Sequence, residues 1–321
     1  MQPQDIATLL DALDTELVNG ARSVGILGLT TVTHDIVAHC AARHVEDTLE
    51  GVYVASSSDL KNPCGVSVRL MNSLLDVRHD VLVVAADEAK EDLLECALPF
   101  ISGSPKVLIS GYGHLRFRDA TFQEEAAQIL VPSLANGYPH TLVHLYQCLS
   151  NAARLKLEGV VVEFGMFKGG TTMLLSRWIK RLGMPWPVIG FDTFAGFPAR
   201  RSPLDMYAHP GCVFSDLRAV QHYIDGHNVE VVPGDIVDTC RRLDEEAVVL
   251  AFVDTDNYTS AAAALDVVVE RVVVGGAVVF DHFTGVDRFL YTIGERMAGK
   301  RLLSDSRFFH LHSTGVFYRQ R

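Results

Sequence analysis

At 321 residues the chain is too long for one ordinary domain of roughly 100–200 residues and suits two, with a 48% hydrophobic content ample for buried cores. A formal net charge of −11, with lysines and arginines scattered along the chain, argues against a nucleic-acid partner. The six cysteines (Cys40, Cys64, Cys96, Cys148, Cys212, Cys240) are far apart with no C-x-x-C pair, which argues against a zinc knuckle and for reduced thiols in a cytoplasmic protein.

The opening residues, MQPQDIATLLDALD, are acidic and lack a basic segment followed by an apolar core, so no signal peptide is expected. Ile6, Leu9, Leu10, Leu13 and Leu17 recur at helical spacing and predict an amphipathic helix over residues 5–18. Strands and helices then alternate: a strand over 23–29, a helix over 35–43, strands over 51–55 and 81–85, a helix over 88–98 and a strand over 106–110. Such alternation with apolar strands specifies a parallel sheet covered on both faces. Its first turn, Gly25-Ile-Leu-Gly28-Leu-Thr-Thr, departs from the G-x-G-x-x-G dinucleotide fingerprint, because bulky Leu29 and Thr31 stand where small residues are expected. A Rossmann-like unit without a cofactor of its own is the expectation here.

Gly111, Gly113, Pro132, Gly137 and Pro139 punctuate the next stretch around one short helix over 122–130. They place a domain boundary near Pro132, dividing the chain into residues 1–131 and 132–321. A helix over 141–156 leads into residues 160–172, VVVEFGMFKGGTT, a buried strand running through a glycine-punctuated turn into the helix of residues 173–182. The glycines let backbone approach a ligand, and the helix start offers free N–H groups to a carboxylate or phosphate. Strands follow over 187–192, 230–232, 247–254 and 276–281, with helices over 260–269 and 286–298. The apolar stretch 267–280 is broken by Glu270 and Arg271 and falls short of the ~20 apolar residues of a membrane span, so no membrane partner is expected. The ending RFFHLHSTGVFYRQ reads as a hairpin of two alternating strands about a Thr-Gly turn.

Five parallel strands closed by an antiparallel hairpin resemble the α/β plan of the class I S-adenosylmethionine methyltransferases. From about Tyr138 onward the chain resembles, more narrowly, the macrocin O-methyltransferase family of sugar O-methyltransferases. The matching pieces are VVEFGMFKGGTT, GFDTFAGFP (190–198), VPGDIVDT (232–239), FVDTDNY (252–258) and GGAVVFDHF (275–283), in the family's order. The first half resembles, more loosely, Rossmann-like accessory domains of sugar-modifying enzymes, in the rhythm of GVYVASSSDLKNPCGVSV and LLDVRHDVLVVAADEAKEDLLECA. Packing, oligomerisation or holding part of a substrate are its open roles, and a homo-oligomer is expected.

The resemblance implies methyl transfer from S-adenosylmethionine to a sugar hydroxyl of a small-molecule or glycosylated acceptor: a natural product, a nucleotide sugar or a glycan. Its cofactor-binding set falls on Glu163, Gly165, Phe167, Lys168, Gly169, Gly170, Thr171, Asp192, Thr193 and Asp235. Glu163, ending the first strand, can meet the cofactor's ammonium, while Gly169, Gly170 and Thr171 face its carboxylate. Asp192, about 20–30 residues further on, is placed for the ribose hydroxyls or for capping a turn. Asp235 is placed for the adenine amino group or for capping the helix that follows.

Asp254, Asp256 and Asp281 end the fourth and fifth strands, which should be neighbours roughly 4.8 Å apart, so the carboxylates share a cleft. Three carboxylates there repel unless a cation lies among them, and hard oxygen ligands suit Mg²⁺. The resemblance implies a divalent metal that holds two adjacent acceptor hydroxyls, with Asp254 and Asp281 as ligands and Asp256 as a further ligand or the base. The family usually shows two acids after the fifth strand, whereas this chain has Asp281-His282. Imidazole suits Mn²⁺ or Zn²⁺ better than Mg²⁺. His282 is therefore open as a ligand, as the general base, or as a residue orienting its neighbours. The competing functions are an N-methyltransferase or catechol-type O-methyltransferase on the same fold, a nicotinamide dehydrogenase using the first half, and a non-catalytic cofactor-binding protein.

Overall fold

The computed structural model describes residues 1–61, 65–137, 139–285 and 289–321. Cys64, Tyr138 and the first residues of the helix expected over 286–298 lie outside the described residues. The chain divides into two compact units, Met1–Phe117 and Arg118–Arg321. No helix among the described residues is long and apolar enough to cross a membrane.

The first unit runs α1 (Pro3–Val18), β1 (Val24–Leu27), α2 (Thr31–Ala42), β2 (Leu49–Val54), β3 (Val68–Leu70), β4 (Val81–Val84), α3 (Lys90–Ala97) and β5 (Lys106–Leu108). Its five strands pair in parallel in the order β3-β2-β1-β4-β5. β1 and β4 are buried throughout, because alternate residues face helices on opposite sides of the sheet. Ile26 and Val83 join Leu9, Leu13 and Ile36 on one face, while Leu27, Leu82 and Val84 join Tyr53 and Ala97 on the other. β3, three residues long, has too little pattern to be visible in the sequence. The carboxyl edge at β1 is packed with protein. Gly28 sits at φ +92 with Leu93 where a Cβ would go, and the Thr30 hydroxyl donates to the Ala85 carbonyl at 2.5 Å.

The second unit runs α4 (Ala120–Ala127), α5 (Thr141–Arg154), β6 (Val160–Phe164), α6 (Gly170–Arg181), β7 (Val188–Asp192), α7 (Leu217–Tyr223), β8 (Val229–Pro233), α8 (Ile236–Thr239), β9 (Val248–Val253), α9 (Tyr258–Arg271), β10 (Val272–Phe280), α10 (Phe289–Gly299), β11 (Phe308–His310) and β12 (Val316–Arg319). The seven strands lie in the order β11-β12-β10-β9-β6-β7-β8, parallel from β10 to β8, with β12 antiparallel to both β10 and β11. This is the class I methyltransferase sheet with its C-terminal hairpin. From β6 the chain steps outward to β7 and β8, then returns to lay β9 and β10 on the other side. That reversal opens a crevice at the carboxyl ends of β6 and β9.

The boundary expected near Pro132 moves to Phe117/Arg118, because α4 belongs to the second unit. Phe122 of α4 stacks on the fully buried Trp178 of α6 at 5.3 Å between ring centroids, and Glu125 pairs with Arg177. The Gly- and Pro-rich stretch after α4 is likewise no spacer. The Ser133 hydroxyl bonds that of Thr171 at 2.6 Å, and the amides of Asn136 and Gly137 donate to the Asp281 carboxylate at 3.2 and 2.9 Å. A Cβ on Gly137 would lie 1.9 Å from the Asp281 carbonyl oxygen, so only glycine lets this stretch pass so close to the end of β10. α7, seven residues long, is a second element that the sequence reading did not foresee.

Candidate active site

All five residues of β6 are buried. Alternation sends Val160, Val162 and Phe164 into the main core and turns Glu163 to the opposite face, where Thr172 of α6 donates to it at 2.5 Å. Burial pushes the Glu163 carboxyl up to about 8 against that hydrogen bond, with the Asp192 charge adding to the rise. Gly165 follows at φ +94, its α-carbon so near the end of β9 that a Cβ would meet the Asp254 carbonyl oxygen at 2.0 Å. Gly169 caps α6 in the left-handed region and no side chain caps the first turn, so its amides face the turn bare. Lys168 is held over the rings of Phe167 and Phe214, 5.0 and 5.1 Å from their centroids.

Asp192 ends β7 and accepts amides from two turns at once, Phe167 N at 2.9 Å and Phe194 N at 2.9 Å. Both donors have φ of 49°, so this carboxylate ties down two strained turns around the cleft. Burial raises its pKa, against the pull of those amides. Each carboxylate oxygen keeps a second lone pair for a ligand. The neighbouring Thr193 hydroxyl donates to the Gly196 carbonyl at 2.6 Å. Asp235 caps α8 through Val237 N at 3.0 Å and pairs with Arg201 at 2.6 Å.

Gly165, Phe167, Asp192, Thr193, Asp254, Asp256 and His282 line one cleft, together with Leu134, Phe197, Pro198, Tyr207 and Cys212. Glu163 and Asp281 stand buried behind its wall. Asp254, Asp256 and His282 each offer a ligand atom, and these three atoms lie within 4.8 Å of one another. His282 Nε2 is 3.1 Å from Asp256 Oδ1, 3.3 Å from Asp281 Oδ2 and 3.9 Å from Asp254 Oδ1. Burial alone would lower the His282 imidazole, but its bond to Asp256 and the charges of Glu295, Asp281 and Asp256 win and carry it up to about 9. Burial, then the charges of Asp281 and Asp256, drive Asp254 well above the usual carboxylate range. A divalent cation fits this donor set, since positive charge among crowded acids removes the repulsion that raises Asp254. Asp281 is tied to Asn136 and Gly137, so its role in the geometry is to bind the segment after α4 to the end of β10.

The segment after β7 forms the outer wall. Asp205 accepts four hydrogen bonds: Arg201 N at 2.9 Å, Ser202 N at 2.8 Å, and Thr259 N and Oγ1 at 2.8 and 2.7 Å. Asn257 clamps Tyr207 through both its backbone groups, at 2.9 Å each. The segment is thus a strap fixed to the start of α9, with Tyr207 edge-on to Phe197 at 5.4 Å. Arg201 and Arg200 of this segment are engaged by Asp235 and by the Pro203 carbonyl. Sequence reasoning missed Leu134 and Glu295. What ties the Leu134 segment to the site, the close approach of Gly137 to the end of β10, shows only in the fold. Glu295 gave no signal.

The sequence model of the family described as Macrocin-O-methyltransferase (TylF) matches residues 137–320. Among solved structures, the O-methyltransferase NovP is 18% identical, the match covering 56% of this chain and 78% of that one with a TM-score of 0.44. The calicheamicin methyltransferase CalS11 is 19% identical, covering 68% of this chain and 99% of that one with a TM-score of 0.41. No curated protein matches the chain.

Proposed function

The chain belongs to the macrocin O-methyltransferase family and is a methyltransferase; from that premise we propose that it methylates a sugar hydroxyl of a natural product, nucleotide sugar or glycan, using S-adenosylmethionine and a divalent cation. One observation carries the reading: Asp254, Asp256 and His282 converge on the cleft that Gly165 and Asp192 line from the other side. The β6 and β7 ends suit the donor, Asp192 facing its ribose and Glu163 its ammonium. The β9 and β10 ends and the strap suit the acceptor.

Asp254 and His282 would hold the cation, with Asp256 beside them. A divalent cation supplies charge that lowers the pKa of a bound hydroxyl. Asp256, a cleft-lining carboxylate, accepts the hydroxyl proton, and the freed oxygen attacks the methyl carbon in line with the departing sulfur. Phe197 and Tyr207 wall the cleft and keep water from the nucleophile. Asp192 holds both turns that shape the donor side.

The test is isotope-labelled methyl transfer to a panel of nucleotide sugars and glycosides, after EDTA and with Mg²⁺, Mn²⁺ or Zn²⁺ restored. Methylation should appear on a sugar oxygen, vanish with EDTA and return with metal. His282→Asp should shift the preference toward Mg²⁺, since it replaces the softer donor. Full turnover in EDTA, with no metal found by elemental analysis, refutes the cation and leaves Asp256 or His282 as a metal-free base.

A further inference from the structure

Glu295 lies in α10, fully buried, and none of the sequence motifs contains it. Its carboxylate is spent on backbone amides. Oε2 accepts from Thr255 N and Asp256 N, both at 3.0 Å, and Oε1 accepts from His282 N at 2.9 Å. Those amides belong to the two loops, after β9 and after β10, that carry Asp254, Asp256 and His282. Asp256 stands at φ +60, a left-handed conformation that costs energy in a non-glycine residue. Two successive N–H groups converging on one anion are the arrangement that stabilises such a backbone. Gly294 beside it makes the approach possible: a Cβ there would lie 2.3 Å from the Leu204 carbonyl oxygen and 2.7 Å from Tyr258 N. A buried carboxylate without donors is strongly unfavourable, so the charge and the loops hold each other in place.

We propose that Glu295 is a positioning residue of the active site: by clamping the amides of Thr255, Asp256 and His282 it fixes Asp256 against His282 as one functional unit. The assignment rests on the methyltransferase reading of this cleft. Glu295 touches neither donor nor acceptor and acts only through the two loops. The clamp needs an acceptor at both oxygens. Glutamine keeps the shape but supplies one acceptor, so an NH₂ must face either His282 N or the Thr255–Asp256 pair.

The experiment compares the unsubstituted protein, Glu295→Gln and a control, Leu302→Ala, which opens a hole in the main core at a residue that makes none of the three clamp bonds. S-adenosylhomocysteine titration reports the donor side, Mn²⁺ titration the cluster, and ¹⁵N spectra of labelled histidine the His282 ring. Glu295→Gln should keep S-adenosylhomocysteine affinity within about twofold, weaken Mn²⁺ tenfold or more and move the His282 ring signal. Leu302→Ala should lower the melting temperature and change neither Mn²⁺ affinity nor the ring signal. An unmoved ring signal and unchanged Mn²⁺ affinity in Glu295→Gln overturn the proposal. Absence of Mn²⁺ binding by the unsubstituted protein overturns the metal reading instead, and the ring signal then decides Glu295. Should Glu295→Gln fail to fold, amide exchange in the unsubstituted protein decides. The Thr255, Asp256 and His282 amides should exchange as slowly as the central strands, and exchange at the rate of exposed loops overturns the clamp.

Discussion

Glu163 bears a conflict between stability and binding that can be measured. An acid whose folded-state pKa lies above its unfolded value keeps its proton more tightly when folded. The resulting destabilisation is absent well below the unfolded value of ~4.3, grows as pH rises toward about 8 and is constant above it. Each unit of displacement is worth about 1.4 kcal/mol. Glu163→Gln, still able to accept from Thr172, should therefore raise the melting temperature of the ligand-free protein at pH 8 and leave it nearly unchanged at pH 4. On the proposed pairing of Glu163 with the cofactor's ammonium, the same substitution should weaken S-adenosylhomocysteine. Calorimetry in buffers of differing ionisation enthalpy should also find a proton released when the unsubstituted protein binds this ligand, and no release in Glu163→Gln. Asp192 makes the complementary case. Asp192→Ala should cost S-adenosylhomocysteine roughly tenfold or more in affinity, the scale of a charged hydrogen bond worth ~1.5–3 kcal/mol. Normal affinity in that variant removes the ribose assignment, and stabilisation by NAD(P) in place of S-adenosylhomocysteine removes the cofactor.

Among elements, the strap between β7 and α7 depends on Asp205. Burial opposes its charge, yet the donors from Thr259, Arg201 and Ser202 hold its pKa below the usual carboxylate range. Its stabilisation is thus complete above the unfolded value and lost as pH falls through the folded one. Asp205→Asn keeps one acceptor, and should cost ~1–3 kcal/mol near neutral pH. The gap to the unsubstituted protein should narrow in acid, and proteolysis within 199–211 should quicken. An unchanged cleavage rate counts against the strap as a fixed wall. The β6 turn was legible in sequence because its demands are local: β-branched residues, left-handed glycines and a helix start fall within thirteen positions. The acids after β7, β9 and β10 were legible for the same reason, each closing an apolar strand. Glu295 was not, since a glutamate on an amphipathic helix reads as its wet face, and only the close approach at Gly294 buries it. The stretch after α4 was misread because its glycines and prolines look the same whether a chain crosses solvent or threads a crowded site.

For the whole molecule, the family-like segment and the folded unit do not start at the same place. The match begins at residue 137, whereas the compact unit begins at Arg118. A protein starting at residue 118 should fold and bind S-adenosylhomocysteine. One starting at residue 137 loses the Phe122–Trp178 stack, the Glu125–Arg177 pair and the Ser133–Thr171 bond. Removing a buried aromatic contact of this kind costs ~3–5 kcal/mol, so the shorter protein should melt far lower or aggregate. Equal melting temperatures for the two would show that the first helix of the unit is dispensable. A soluble, folded protein starting at 118 that fails to bind S-adenosylhomocysteine would assign part of the cofactor site to the first unit.

The bond between Gly137 and Asp281 joins residues 144 apart in the chain, and the bond from Asp256 to Glu295 joins residues 39 apart. Contacts so distant in sequence form late, after loop closure has been paid in entropy. On the ribosome the donor side, from β6 through β7, emerges with its turn chemistry contiguous. The cluster of acids stays open until α10 has left the exit tunnel. A nascent chain halted before Glu295 would therefore carry Asp254, Asp256 and His282 on unanchored loops. Competence for chemistry waits on the synthesis of α10.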